Sequence, residues 1–185
     1  ITTISKGRIY GEIAEIHAHE KAKGYNNTIA TYSNARSQAM FVSGYRDIYL
    51  RKDLKITEDV VRSWEEGEEL NICLNGNKII IEKGINILSI SNKARVIITD
   101  CKGSGHFELQ GGYEEDEKAP IKVENSTLVL NHLYLNEIKN KLVKALDESD
   151  IIVNFATISN TKSSNSIIIA DGINSKVSIA DSVMT

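Results

Sequence analysis

The sequence predicts an all-β chain that folds as a parallel β-helix, and two observations lead to that prediction. Apolar bursts separated by Asn, Gly and Ser turns recur at intervals of 24 residues, first from Ile48 to Ile72 and then from Ile72 to Val96. A repeat of this length is typical of stacked supersecondary units. Within each burst alternate residues are apolar, which is the period of a strand with one buried face.

Composition agrees with this fold class, and the charge and the apolar runs argue against a nucleic-acid partner and a membrane span. The 185 residues contain one proline and 6% aromatic residues, and Ile, Asn, Ser and Lys set their character. This composition favours many short strands joined by polar turns. A net charge of −3 gives no reason to expect a nucleic-acid partner, which requires a concentrated basic face. No apolar run approaches the ~20 residues of a membrane span.

Residues 1–46 do not follow the repeat and are interpreted as an N-terminal cap. Ile13 and Ile16 stand at helical spacing within a segment 12–23 that ends before Gly24, and residues 33–42 form a second short helical pattern. The first coil of a solenoid exposes apolar surface and unpaired backbone groups, so a covering segment is needed there. The β-helix itself is predicted over residues 47–185, with about six coils of three strands.

The three faces of the predicted solenoid follow from the apolar pairs. Their spacing on the first face is 24, 24, 32, 25 and 24 residues. The first face contains Ile48/Leu50, Ile72/Leu74, Val96/Ile98, Leu128/Leu130, Val153/Phe155 and Val177/Ile179. The second contains Leu54/Ile56, Ile79/Ile81, Phe107/Leu109, Leu133/Leu135, Ile158 and Val183. The third contains Val60/Val61, residues 85–90, Ile121/Val123, residues 142–146 and Ile167/Ile169.

Two segments depart from the regular pattern. The interval of 32 is explained by an insertion loop at residues 111–120, which carries the only proline and which a solenoid tolerates. Residues 136–146 place Ile138 and Leu142 at helical spacing, but a coil is favoured because Leu128 and Val153 are only 25 residues apart. The repeat continues up to Met184, which predicts that the visible C-terminus is truncated and that further coils follow.

The run 47–105 resembles the right-handed parallel β-helix (pectate-lyase-like) domains of large bacterial surface proteins. The similarity rests on residues 48–50, 73–76 and 97–101, and on the generic coil patterns at 125–128 and 174–182. The resemblance implies a right-handed β-helix, an extracellular or cell-surface location and adhesion as the default role. Residues 17–20 and 22–30 also resemble the short Ala/Gly repeats of trimeric phage-tail and adhesin heads.

The sequence predicts no catalytic residues and no cofactor. The outward positions assigned to the first face carry no carboxylate, whereas sugar-cleaving enzymes of this shape need clustered acids. The successive outward positions assigned to the second face carry a single acid: Lys55, Ile80, Glu108 and Tyr134. Calcium is considered because a short acidic run in the insertion loop offers several oxygen ligands: Glu114, Glu115, Asp116 and Glu117. The preferred interpretation of this acidic run is a solvated turn. His17, His19 and Glu15 are considered as zinc ligands, with cap-packed histidines as the preferred interpretation.

The cysteines and the aromatic residues can each be interpreted in two ways. Cys73 and Cys101 permit one disulfide across adjacent coils, and two free thiols are the alternative. Four aromatic residues could stack on sugar rings or serve in packing: Trp64, Tyr45, Tyr49 and Tyr134.

The function predicted from the sequence is a non-enzymatic adhesion or stalk module. Its rigid β-helix is expected to contact an extracellular glycan or protein, and its open C-terminal coil is expected to self-associate. One alternative is a polysaccharide lyase or hydrolase with the same fold. Another is a trimeric phage-tail or fibre receptor-binding protein.

Overall fold

The computed structural model describes residues 47–50, 52–111, 118–136, 141–159 and 166–184. Sixteen parallel strands in this part of the chain form three sheets. The all-β solenoid predicted from the repeat is therefore confirmed. The predicted cap helices, His17, His19, Glu15, Tyr45 and the acidic run 114–117 lie outside the described residues.

The first and second sheets contain six strands each, and the third contains four. The first sheet consists of β1 (Asp47–Tyr49), β3 (Glu69–Cys73), β6 (Arg95–Thr99), β9 (Thr127–Asn131), β12 (Asp150–Asn154) and β15 (Lys176–Ala180). The second consists of β2 (Leu54–Ile56), β4 (Lys78–Glu82), β7 (His106–Gln110), β10 (Tyr134–Asn136), β13 (Thr157–Ser159) and β16 (Val183–Met184). The third consists of β5 (Leu88–Ile90), β8 (Ile121–Val123), β11 (Val143–Ala145) and β14 (Ile168–Ala170).

Four complete coils of three strands form the centre of the described solenoid, with two-strand coils at each end. The first and second sheets contain a strand from each of six coils, but the third sheet contains a strand from only four of them. The prediction of about six three-stranded coils is therefore too high for the described residues. Residues 57–63 occupy that side of the first coil without forming a strand, although Val60 is buried there and its N–H donates to Asn86 O at 2.9 Å. Val61, assigned inward from the sequence, is exposed.

The register of the first sheet differs by two residues from the predicted alignment at three strand pairs, which are β3–β6, β9–β12 and β12–β15. Leu70 and Ile72 lie beside Val96 and Ile98, where the predicted alignment placed Ile72 and Leu74. In the same way, Leu128 and Leu130 of β9 lie beside Ile151 and Val153 of β12, not beside Val153 and Phe155. The inward columns that result are Leu70–Val96–Leu128–Ile151–Val177 and Ile48–Ile72–Ile98–Leu130–Val153–Ile179.

In the second and third sheets, the observed pairing differs by one residue from the predicted pairing. Met184, not Val183, pairs with Ile158, and Val183 lies beside Thr157 on the outward face. In β14, Ile168 pairs with Val143, while Ile169 pairs with the outward Lys144. Val183 and Ile169, which the sequence assigned to the inward face, therefore face outward, because each lies one residue from an inward position.

A single apolar core runs through the centre of the solenoid. Ile72, Ile81, Leu130 and Val153 are completely buried, and the core includes residues from all three sheets. Each coil therefore buries its inward side chains against the coils above and below, at about 25 cal/mol for each Å² of apolar surface removed from water. This stacking is the main stabilising term of the fold.

Left-handed residues recur at the corners between sheets. The corner after the first sheet contains Asn75, His132, Phe155 and Asp181, with φ between 48° and 53°. The corner before the first sheet contains Asn92, Asn125, Glu148 and Asn174, with φ between 45° and 63°. Asn and Asp tolerate this conformation better than other residues with a side chain, which explains the Asn-rich turns seen in the sequence.

The structure describes part of each of the two segments that depart from the repeat, residues 111–120 and 136–146. Gly111 and residues 118–120 are the described ends of the predicted insertion loop 111–120, and Ala119 is buried. The helical alternative for 136–146 is wrong in its described part, because residues 143–145 form β11. No helix among the described residues is long and apolar enough to cross a membrane.

Candidate functional site

The outward face of the second sheet brings together charged, polar and aromatic side chains. One column of this face runs from Lys78 through His106, Tyr134 and Thr157 to Val183, each residue beside the next in the strand register. A neighbouring column contains Lys55, Ile80 and Glu108. The parallel backbone fixes these side chains in rows on one face of the sheet. We refer to these eight residues, together with Glu82 and Gln110, as the second-sheet face.

Two ion pairs cross neighbouring strands on the second-sheet face. Lys55 Nζ lies 2.7 Å from Glu82 Oε1, and Lys78 Nζ lies 2.7 Å from Glu108 Oε2. The hydrogen bond from Lys78 lowers the pKa of the Glu108 carboxyl, and the same contact raises the pKa of the Lys78 ammonium. Glu108 therefore stays ionised near neutral pH and is poorly suited to act as a general acid.

His106 is held in one tautomer beside these pairs. Its Nδ1 lies 2.9 Å from the carbonyl oxygen of Ser104. A carbonyl oxygen accepts only, so the neutral ring carries its hydrogen on Nδ1 and leaves Nε2 as an acceptor. Gln110 Nε2 lies 3.4 Å from Glu108 Oε1. The face thus offers fixed donors and acceptors next to Tyr134, which is 40% exposed.

A second aromatic side chain lies at the edge of the same face. Phe155 is 41% exposed and stacks on His132, with ring centroids 5.0 Å apart. Thr157, two residues after Phe155, pairs with Tyr134 of the neighbouring coil. Tyr134 and Phe155 therefore lie on adjacent coils near the corner between the first and second sheets. The sequence pointed to Tyr134 but missed Phe155, which it assigned to the inward face.

The other aromatic candidate with a described side chain belongs to the core. Trp64 is buried, its Nε1 donates to Ser89 O, and the Arg62 guanidinium carbon lies 4.6 Å from its ring centroid. Arg62 also forms a salt bridge with Glu68. The ring is enclosed and offers no stacking surface, so packing is the correct interpretation for Trp64. Tyr49 lies in β1, and its side chain lies outside the described part.

The outward face of the first sheet is arranged differently from the prediction. Its corrected register forms a column of Glu69, Arg95, Thr127, Asp150 and Lys176. Two carboxylates, Glu69 and Asp150, are thus present in this column, where the sequence predicted none, but Arg95 and Thr127 separate them. A second outward column contains Cys73, Thr99 and Asn131, all of which are buried.

Asp100 is a buried carboxylate with a structural role. It is 2% exposed, and its two oxygens accept hydrogen bonds from the backbone N–H groups of Gly76, Ser104 and Gly105 at 2.6 to 2.8 Å. The bond from Gly76 connects the corner turns of two adjacent coils, and the bonds from Ser104 and Gly105 fix the turn that follows Asp100. The close packing leaves no space for a larger residue than glycine at 105, where an added Cβ would lie 2.6 Å from Asp100 Cγ.

Within the described ranges, no group of three or more His, Cys, Asp or Glu side chains is placed to hold a metal ion. The four acidic calcium candidates lie outside those ranges, so the calcium hypothesis stays a prediction. Comparison with known proteins gave no match, whether to a family model, to a curated protein or to a solved structure.

Proposed function

We propose that this chain is a cell-surface adhesion module that binds a neutral extracellular glycan on the second-sheet face. The observation that carries the proposal is the half-exposed Tyr134 ring, which shares a column with His106 and Lys78 on that face. Tyrosine combines an apolar ring with a polar tip, which suits a sugar with one apolar face and a rim of hydroxyl groups. In this proposal the solenoid is of the right-handed, pectate-lyase-like type and belongs to a bacterial surface protein.

The charge balance of the second-sheet face favours a neutral ligand. Each lysine in the two ion pairs is neutralised by a glutamate on the neighbouring strand. The pairs therefore contribute no net charge that would attract a polyanion. Their remaining lone pairs and N–H groups, with His106 Nε2, can bind hydroxyl groups of a sugar.

The geometry of the sheet favours an extended ligand. Neighbouring strands of a sheet are spaced about 4.8 Å apart, comparable to the length of one pyranose unit. A glycan chain that runs along the solenoid would meet Lys78, His106 and Tyr134 at successive strands. Ordered side chains on a rigid sheet reduce the entropy lost on binding.

The test is a binding screen with soluble polysaccharides, neutral and acidic, measured by affinity electrophoresis and calorimetry. We expect binding to neutral glycans that changes little between low and high salt, because ion pairing is not the driving force. Tyr134→Ala should weaken binding about five- to tenfold, in line with the energy of one aromatic contact. Tyr134→Phe should retain most of the affinity. Lys122→Ala, on the third sheet, is the matched control and should have no effect.

Three results would contradict this proposal. Salt-sensitive binding to acidic polysaccharides alone would replace the neutral glycan by a polyanion. Unsaturated or reducing sugar products would indicate a polysaccharide lyase or hydrolase. A trimer in sedimentation equilibrium, with binding to no glycan, would favour the phage-tail alternative.

A further inference from the structure

Cys73 and Cys101 come together at the corner between two neighbouring coils. Cys73 is the last residue of β3, and the strand register places it beside Thr99, the last residue of β6. Cys101 follows Thr99 by two residues at the start of the turn. Cys73 is 6% exposed, Cys101 is partly exposed, and both side chains are in the reduced thiol form.

The two side chains are hydrogen-bonding partners of each other. Cys101 Sγ also lies 3.6 Å from Asn75 Oδ1, and Asn75 Nδ2 donates to Leu50 O at 2.9 Å in the preceding coil. Asn75 is therefore fixed by the stack and holds the Cys101 thiol over the end of β3. The hydrogen bond between the two thiols brings their sulfur atoms into direct contact, which is the proximity that a disulfide requires.

We propose that Cys73 and Cys101 are a disulfide-forming site that joins the second and third coils of the described solenoid. The oxidant is a small-molecule disulfide such as oxidised glutathione. This inference is independent of the proposed glycan binding.

The environments of the two thiols set the order of the reaction. Burial raises the pKa of Cys73 to about 12. Burial also raises the pKa of Cys101, but the hydrogen bond from Cys73 opposes that rise. Cys101, which is the more exposed, therefore loses its proton first and is the attacking thiol. High pKa values make the exchange slow at neutral pH and faster as the pH rises.

The exchange proceeds in two balanced steps. The Cys101 thiolate attacks one sulfur of the external disulfide, forms a mixed disulfide and releases one thiolate. Cys73 then loses its proton to solvent and attacks Cys101 Sγ, which breaks the mixed disulfide and releases the second thiolate. The protein loses two electrons and two protons, and the external disulfide is reduced to two thiols.

The bridge should stabilise the solenoid. It closes a loop that contains β4, β5 and β6, so it restricts the unfolded chain. For a chain of this size the melting temperature is expected to rise by about 5 to 10 °C.

The experiment incubates the folded full chain with oxidised glutathione at neutral and mildly alkaline pH. Intact mass is then measured after alkylation in denaturant. We expect loss of two hydrogens, no alkylated thiol, faster reaction at higher pH and a higher melting temperature that is reversed by reductant. Cys73→Ser should accumulate a glutathione adduct at Cys101. Cys101→Ser should react far more slowly, because Cys73 is buried.

If a variant fails to fold, the mass of the oxidised and alkylated wild-type protein alone decides whether the proposal holds. Two alkylated thiols after prolonged oxidation, or a wild-type protein that stops at a glutathione adduct, would overturn it. A bridge that leaves the melting temperature unchanged or lower would confirm the disulfide site and contradict only the stabilisation expected from it.

Discussion

Phe155 stacks on His132 with ring centroids 5.0 Å apart and an interplanar angle of 9°. The two residues occupy equivalent corners of neighbouring coils, because Asn131 pairs with Asn154 immediately before them. Both have a left-handed backbone, with φ of 53° for His132 and 52° for Phe155. That conformation costs about 1–2 kcal/mol for a residue with a side chain, and an aromatic pair contributes about 0.5–1.5 kcal/mol. The stack therefore partly offsets the strain of the turn.

His132 should make the protein less stable at mildly acidic pH. Burial lowers the pKa of His132 below its ordinary value, while the charge on Asp100 opposes that shift. The neutral ring is thus favoured in the folded state, and the full stability is present above the unfolded pKa of about 6.5. As the pH falls through that value the unfolded chain binds the proton first, and stability decreases.

The check is a series of thermal melts between neutral and mildly acidic pH. His132→Gln should show a smaller decrease in melting temperature over this range than the parent. His106→Asn, which removes a histidine from the second-sheet face, is the control. An identical pH profile for the parent and His132→Gln would refute the role of His132.

Ile98 is the position at which a charge should be most damaging. It lies between Ile72 and Leu130 in the inward column of the first sheet and is 1% exposed. Ile98→Asp buries an unpaired carboxylate, which should cost more than ~3 kcal/mol of unfolding free energy in urea titrations. The neighbouring Ile97→Asp is the matched control and should cost less, because Ile97 points outward. Equal losses of unfolding free energy in the two variants would mean that the inward and outward residues of β6 are assigned wrongly.

Asp100 should contribute to stability through its three backbone hydrogen bonds. Asp100→Asn keeps the shape but replaces one acceptor oxygen by an NH₂ group that opposes backbone donors. We expect a loss of about 1–3 kcal/mol in chemical unfolding. Asp181→Asn changes an exposed aspartate at the equivalent corner and should have little effect. The prediction fails if both variants unfold at the same denaturant concentration.

The insertion loop should be dispensable for folding. Replacement of residues 112–118 by a short Gly-Ser linker is expected to leave cooperative unfolding intact, since loop length has a small effect on free energy. Loss of cooperativity would show that the loop is part of the core. Calcium should raise the melting temperature of the parent, and not of the deletion, if the run 114–117 binds the ion.

The last described coil should be the least protected and should self-associate. In the described part of the chain β15 pairs with β12 alone, and the inward residues Val177 and Ile179 are 38% and 45% exposed. Amide exchange in β15 should therefore be faster than in β6. Ile179→Lys should reduce concentration-dependent association in sedimentation velocity, whereas Ser178→Lys should not. Monomer at all concentrations, with equal protection of the two strands, would contradict this prediction.

The fold class followed from the sequence because its signal is local. Alternation of apolar residues in segments such as Ile79/Ile81 specifies which side chains face inward, and the Asn-rich corners between bursts specify where strands stop. Both properties depend on neighbouring residues in the chain. The inward facing predicted for Ile72, Ile98 and Leu130 is confirmed for this reason, since all three are buried.

The second-sheet face was only partly predictable. The sequence identified Lys55, Ile80, Glu108 and Tyr134 as outward residues that follow one another, and the first three form one column. Tyr134 instead lies beside His106, one column away. Ion pairing of Lys78 with Glu108, and the exposure of Phe155, depend on how coils are placed against each other.

The strand register, in contrast, depends on the stacking of whole coils. A slip of one residue would turn every apolar side chain outward, but a slip of two preserves the facing and leaves the pattern unchanged. The sequence therefore could not distinguish Leu74 from Ile72 as the neighbour of Ile98. The pairing is set by contacts between corner turns that are far apart in the chain, such as the hydrogen bond from Gly76 to Asp100. Because those contacts form only when two coils are stacked, the positions of Cys73 and Cys101 and of the buried Asp100 were determined by the assembled solenoid.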